Sequence, residues 1–249
     1  MESIAEGLAQ VLVQKLTYIP LDTRLLVGIA GIPASGKSTL AVLVASKTNQ
    51  LLYESHRQSG SASTPDSALL NHSRAIIVGL DGWHLTRVQL DALPDPKLAH
   101  DRRGAHWTFD SHGYVSFIRK LREPVSPDAP TITAPSFDHA LKDPTPHNIT
   151  ILPEHRIVII EGLYTFLSLS PWDEAGKLLD ERWLVKVDPT VASDRIVKRH
   201  VASGITKDLE EARWRSTEND TPNGLFLLSN SLEPTRYIES VDDPKYALQ

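Results

Sequence analysis

The sequence predicts a three-layer α/β/α fold built on a mostly parallel sheet of about five strands, and three observations predict it. Leu25–Ala30, Ala75–Leu80 and Ile157–Ile160 are short, continuously apolar runs, and Trp183–Val187 is apolar except for Lys186. Strands buried on both faces need such runs, whereas one-sided strands alternate. The segments between them carry apolar residues at helical spacing, as βαβ units require. The third observation is the ending of each run, in glycine or directly before an acid. In open parallel sheets, ligands gather at those carboxyl ends.

The elements follow in order. Ile4, Leu8, Val11, Leu12 and Leu16 share a helical face, and Pro20 and Asp22 end the pattern. After the first strand, residues 38–52 return to helical spacing with Leu40, Leu43, Val44 and Leu51 near one face. Residues 53–73 are rich in Ser, Gly and Pro without periodicity, and read as an exposed insertion. Beyond the second strand, residues 86–105 are irregular and contain prolines, and residues 111–121 read as a helix. Residues 191–203 and 207–215 form charged helices separated by Gly204, within a lid region spanning 191–223. Tyr237-Ile238 belongs to a last short strand. The whole, residues 1–249, reads as a single domain.

Composition removes several function classes. Hydrophobic residues make up 41% and charged residues 23%, an ordinary globular balance, and the formal net charge is −5. No Lys/Arg block suggests a nucleic-acid or membrane-surface footprint. The absence of cysteine excludes disulfides, thiolate zinc sites and thiol nucleophiles, and the ten histidines fall into no metal-binding spacing. No signal-like N-terminus or apolar run of about 18 residues is seen, so a cytoplasmic protein is expected.

The strongest motif is Gly31-Ile32-Pro33-Ala34-Ser35-Gly36-Lys37-Ser38, a complete G-x-x-x-x-G-K-[ST] between the first strand and a helix. Its glycines let the backbone curl so that N–H groups face a phosphate, and the helix start adds partial positive charge. Gly31, Ala34, Ser35, Gly36, Lys37, Ser38 and Thr39 are therefore candidate nucleotide contacts. Lys37 would span the β- and γ-phosphates, and the Ser38 hydroxyl would be a Mg²⁺ ligand. ATP with Mg²⁺ is the expected pairing, and no base-reading motif separates ATP from GTP. Asp81 and Glu161 follow the second and third strands. Transfer to an alcohol uses one acid to support the metal and another to accept the hydroxyl proton. A lone acid at such a place also serves as a helix or turn cap.

Five further segments carry a family resemblance. Asp81-Gly82-Trp83-His84 resembles the D-[GS]-[FW]-[HY] element of the phosphoribulokinase/uridine kinase family, which includes bacterial-type pantothenate kinases. Arg102-Arg103-Gly104-Ala105-His106-Trp107-Thr108-Phe109-Asp110 is similar to its R-K-G-x-P-x-[ST]-[FY]-D segment. Pro135-Ser136-Phe137-Asp138 resembles the P-x-[FY]-D motif of the acceptor pocket, and Glu161-Gly162 the element that closes the metal site. Residues 195–200 resemble the R-x-x-R-R stretch that begins the lid.

With the phosphate loop, these occur in family order from Leu25 to Asn223, and the texture is nearest the nucleoside/sugar kinase-like branch. The resemblance implies a P-loop NTPase fold and ATP-dependent transfer to a small-molecule hydroxyl. It implies Asp81 as base, Ser38 and Glu161 at Mg²⁺, and Arg195 and Arg199 closing on the transferring phosphate. Two positions depart from uridine kinases: Lys142 stands where they carry histidine, and Phe137 replaces a tyrosine.

Trp83, His84, Arg103, Phe137 and Asp138 are the candidate acceptor contacts, although aromatics also belong in cores and basic loop residues in solvent. The expected partner is a small metabolite, a nucleoside or sugar-like alcohol first and pantothenate second. No nucleic acid or membrane is expected, and a homodimer stays open. A nucleotide-binding regulatory protein and a hydrolase without acceptor are the readings from other classes.

Overall fold

The computed structural model describes residues 1–58, 73–126, 130–138 and 140–246. Strand β1 (Leu25–Gly31) lies at the centre of a five-stranded sheet, between β5 (His155–Glu161) and β6 (Glu181–Lys186). Strand β2 (Arg74–Gly79) flanks β5, and β7 (Arg236–Glu239) flanks β6, giving the order β2-β5-β1-β6-β7. All four pairings are parallel.

Strand pleating divides the core into two layers. Leu26 and Ala30 of β1, with Val158 and Ile160 of β5, face Tyr114, Phe117 and Ile118 of helix α5 (Ser111–Leu121) and Trp172 of α6 (Trp172–Leu178). Leu25, Val27 and Ile29, with Ile157 and Ile159, face the other way. They meet Leu8 and Leu12 of α1 (Glu2–Leu16) and Leu40 and Val44 of α2 (Lys37–Gln58). Each such fully buried Leu, Ile or Val contributes about 1.5–3 kcal/mol, so continuous apolar strands are what fix the three layers. The predicted architecture is the observed one.

Several local expectations change. Of the expected insertion at 53–73, residues 53–58 are helical instead, because α2 continues through Gln58. Two i,i+4 contacts extend it: Gln50 Nε2 donates to Glu54 Oε1 at 2.9 Å, and the Arg57 guanidinium lies 5.9 Å from the Tyr53 ring centroid. The rest of that expectation, 59–72, lies outside the described residues. The segment read as irregular holds two short helices, α3 (Arg87–Asp91) and α4 (Pro96–Asp101). Thr86 and Gln89 form a reciprocal capping box for α3, while Asp95 caps α4 with Pro96 in its first turn. An antiparallel hairpin, β3 (Ile132–Asp138) with β4 (Asp143–Ile151), was not expected from a stretch holding Pro135, Pro144 and Pro146. It stands apart from the main sheet, and its pairing shifts register between Ala134 and Ser136, around the first of these prolines.

The lid comprises α7 (Pro189–Ala202), α8 (Leu209–Arg215), one π-helical turn at Ser216–Asp220, and the start of α9 (Thr221–Ser229). Gly204, at φ +67°, makes the expected break between α7 and α8. Ile196, Val197 and Ala212 form a small core of their own, and His200 Nε2 lies 2.8 Å from Asp220 Oδ2, joining α7 to the π turn. No helix among the described residues is long and apolar enough to cross a membrane.

Candidate active site

The phosphate loop leaves the carboxyl end of β1 and enters α2 at Lys37. Its curl is set by two left-handed residues flanking Ser35: Gly36 at φ +88° and Ala34 at φ +61°. Glycine takes that conformation freely; Ala34 carries a side chain into it at a cost of about 1–2 kcal/mol. Ser35 N donates to Ile32 O at 3.1 Å and Leu40 N to Gly36 O at 3.0 Å, closing the loop onto the first helical turn.

Register places the second part of the site. Glu161 ends β5 opposite Ile29 of β1 and Gly79 of β2, so its carboxylate rises beside the phosphate loop. A Cβ on the next residue, Gly162, would stand 2.3 Å from Leu80 Cβ, so only glycine lets the ends of β2 and β5 come this close. Ser38 Oγ donates to Glu161 Oε2 at 3.0 Å. Burial pushes the Glu161 carboxyl above its ordinary range and the neighbouring Asp81 carboxylate pushes the same way; Lys37, the Ser38 hydrogen bond and Arg199 oppose them. Lys37, Ser38, Asp81 and Arg199 thus all act on one carboxylate from three separate segments. The Ser38 hydroxyl and Glu161 carboxylate are hard oxygen donors of the kind that would suit Mg²⁺. Among the described residues no cluster of three or more His, Cys, Asp or Glu offers a metal an all-protein cage.

Asp81 lies in a 3₁₀ turn, Leu80–Trp83, with its side chain about half exposed to the cleft. His84 Nδ1 lies 2.8 Å from Asp81 O and 3.9 Å from its Oδ1. The His84 ring packs on Phe109, centroids 3.9 Å apart, and on Phe137 of β3, 5.0 Å apart. The hairpin missed in the sequence therefore supplies one wall beside Asp81.

Three expected acceptor contacts are engaged with the protein itself. Trp83 is a core residue, 5% exposed, with ring centroids 5.4 Å from Tyr114 and 4.9 Å from Phe117. The 3₁₀ turn directs Asp81 to the cleft and rotates Trp83 inward. Arg103 is held by protein: Nη2 donates to Leu85 O at 2.7 Å and Asp143 Oδ1 at 2.9 Å, and Nη1 donates to Lys142 O. Its guanidinium also lies 5.4 Å from the Phe137 ring centroid, so Arg103 clasps the hairpin to the Leu85 segment. Asp138 Oδ1 accepts from Ala140 N at 2.8 Å and Leu141 N at 3.1 Å, capping the hairpin turn.

The lid arginines diverge. Arg199 is exposed and acts on Glu161. Arg195 lies against the phosphate loop's outer side, with Nη1 3.0 Å from Ser240 Oγ and 3.5 Å from Ala34 O, and Nη2 3.2 Å from Asp242 Oδ1. Asn219 Nδ2 donates to Arg103 O at 3.1 Å, and Asn223 Nδ2 to Asn219 Oδ1 at 3.2 Å. This polar cluster docks the lid's π turn onto the 102–104 loop.

Similarity to known proteins follows the same lines. No protein-family model matches the chain. It is 47% identical over 153 residues to the ATP-dependent kinase-like protein notR' of Aspergillus versicolor, covering 61% of this chain and 89% of that one. It is 36% identical over 218 residues to the candidate uridine kinase C227.14 of Schizosaccharomyces pombe, covering 88% and 84%. In fold it resembles YFH7 of Saccharomyces cerevisiae, with TM-score 0.78, 23% identity and coverage of 97% and 98%. A candidate fructose transport system kinase from Silicibacter gives TM-score 0.72 at 24% identity, covering 92% and 98%. With the phosphate loop and both strand-end acids in one cleft, the chain belongs to the phosphoribulokinase/uridine kinase family of ATP-dependent P-loop kinases.

Proposed function

We propose that this kinase transfers the γ-phosphoryl group of Mg-ATP to a hydroxyl of a nucleoside or sugar-like alcohol. The observation that carries the reading is the convergence on Glu161: Ser38 Oγ at 3.0 Å, with Lys37, Asp81 and Arg199 close enough to shift its titration. Gly31, Ala34, Ser35, Gly36, Lys37, Ser38 and Thr39 hold the phosphates, and Lys37 sets its charge across the β- and γ-groups. Ser38 and Glu161 would hold Mg²⁺, which would neutralise charge on the phosphate oxygens. Asp81 accepts the acceptor's hydroxyl proton as that oxygen bonds to the γ-phosphorus, and the bond to the β,γ-bridging oxygen breaks with its electron pair leaving on ADP. Arg199, exposed on lid helix α7, balances charge on the phosphoryl group in flight.

An uncharged acceptor is supported by Arg103. Its charge is matched by Asp143 at 2.9 Å, and both of its terminal nitrogens donate to protein oxygens. An acceptor carrying a carboxylate, such as pantothenate, would have to compete with that clasp in order to pair with Arg103. His84 and Phe137 pack on one another beside the half-exposed Asp81 carboxylate, an aromatic wall of the kind that borders sugar and base sites.

The test is ADP release from Mg-ATP across nucleosides, pentoses, hexoses and pantothenate. Acceptor-dependent release with a neutral alcohol is expected. Release with pantothenate alone would overturn the acceptor class, and release independent of any acceptor would make the protein a hydrolase.

A further inference from the structure

We infer that Ser240 is a positioning residue for the phosphate loop, linking its outer carbonyls to the lid through Arg195. The inference rests on the loop's holding a nucleotide. A loop that turns its N–H groups toward phosphate must turn carbonyls outward, and each of those needs a partner of its own. Here Ser240 Oγ donates to Ser35 O at 2.8 Å. Ser35 is the residue between the two left-handed positions, Ala34 and Gly36, that set the loop's curl.

The hydroxyl has one proton. With that proton on Ser35 O, its lone pairs face donors, and Arg195 Nη1 occupies one of them at 3.0 Å. The same nitrogen reaches Ala34 O at 3.5 Å, and Asp242 Oδ1 holds the other terminal nitrogen at 3.2 Å. A continuous chain of donors thus runs from the middle of α7 to the two carbonyls behind the phosphate-facing amides.

Ser240 is itself fixed by the sheet. Its N–H donates to Lys186 O at 2.7 Å, just past the β6–β7 pairing of Lys186 with Glu239. The hydroxyl is therefore delivered by a strand end rather than by a free tail. Loop shape then depends on a residue more than 200 positions away from Ser35 in sequence (205 apart), and lid position bears on the same carbonyls.

The test is calorimetric binding of Mg-ADP and of adenosine to the full chain, as wild type, Ser240→Ala and Ser240→Thr. Loss of one neutral hydrogen bond that shapes the loop weakens Mg-ADP binding about five- to tenfold in Ser240→Ala. Ser240→Thr, which keeps the hydroxyl, restores affinity to within about twofold of wild type on the same scale. Adenosine, having no phosphate, binds all three alike. Equal weakening of adenosine and Mg-ADP, unchanged Mg-ADP affinity in Ser240→Ala, or failure of threonine to restore it would each overturn the proposal. A wild-type chain that binds no Mg-ADP would overturn the nucleotide reading first and this inference with it. If Ser240→Ala does not fold, Ser240→Cys, which keeps only a weak donor, carries the same comparison.

Discussion

Ser38 Oγ and Glu161 Oε2 lie 3.0 Å apart although 123 positions separate them in sequence. The first turn of α2 brings the hydroxyl, and the tip of β5 brings the carboxylate. Neither has a geometric reason to meet the other except that β1 and β5 are adjacent and parallel, with their carboxyl ends on the same edge. If this pair supports Mg²⁺, Ser38→Ala raises the Mg²⁺ concentration needed for half-maximal ADP release by about 10–100-fold, the range for losing one supporting contact at a metal. Chelation with EDTA abolishes release from the wild type. A Mg²⁺ titration that superimposes on wild type would remove Ser38 from the metal.

Asp81 projects from a turn into the cleft and shares a neighbourhood with Glu161, yet only Glu161 bonds to the phosphate-loop helix. The two acids are therefore separable. Asp81→Asn should bind ATP as wild type does while acceptor-dependent turnover falls about 10²–10⁴-fold, the contribution of a positioned base. Undiminished turnover would show that the proton leaves by another route.

Lys37 opens α2 directly behind Gly36 and opposes the burial of Glu161. Replacing it with alanine removes charge-assisted contacts to phosphate, so ATP affinity should drop about 10–100-fold, in contrast to Asp81→Asn. Binding measured on both variants side by side separates the cradle from the base. Wild-type affinity in Lys37→Ala would contradict the cradle assignment.

Trp83 follows Asp81 by two residues but packs in the opposite direction, between Tyr114 and Phe117. Truncation there opens a cavity in the layer beneath the site. Trp83→Ala should lower stability in denaturant by about 3–5 kcal/mol, and Trp83→Phe by less. In Trp83→Phe the acceptor KM stays at the wild-type value. A raised acceptor KM with unchanged stability would return Trp83 to the pocket.

The contrast between Asp81 and Trp83 shows what the sequence could carry. Strand cores, the phosphate loop and the strand-end acids are local patterns: a continuous apolar run, a glycine spacing, an acid at a fixed edge. They were legible because buried strands and curled anion-binding loops admit few residue types. Arg103 was not legible, since its partners Leu85, Lys142 and Asp143 come from chain segments that only the tertiary fold assembles. The β3–β4 hairpin was hidden by its three prolines, which a two-stranded ribbon outside the main sheet tolerates and a central strand does not. Helices α3 and α4 did carry readable signals, Thr86-x-x-Gln89 and Asp95-Pro96, but each is too short to show a period. Ser240 had no local mark at all.

His106 lies flat on Phe226, ring centroids 4.2 Å apart and planes inclined by 4°, with Tyr164 edge-on at 6.3 Å. Burial pushes its pKa below the ordinary 6.5, so the folded chain holds a neutral imidazole where the unfolded chain would take up a proton. His155 is lowered as well, burial being the largest cause, and its Nδ1 accepts from Leu152 N at 2.9 Å, a bond only an unprotonated nitrogen can make. For a depressed base, the unfolded state binds more protons between the two pKa values, and stability rises with pH across that interval. The contribution is thus complete above 6.5 and is lost as pH falls from there toward the folded values. Denaturant midpoints should be level near neutrality and decline on acidification below 6.5, before the carboxylates begin to titrate. His106→Phe preserves an aromatic face for Phe226 and removes the proton site. Its decline should be shallower than that of wild type, with the residue due to His155 remaining. Identical slopes in the two proteins would mean that the His106 ring is protonated without cost in the folded state, and the stack on Phe226 would then contribute nothing to acid sensitivity.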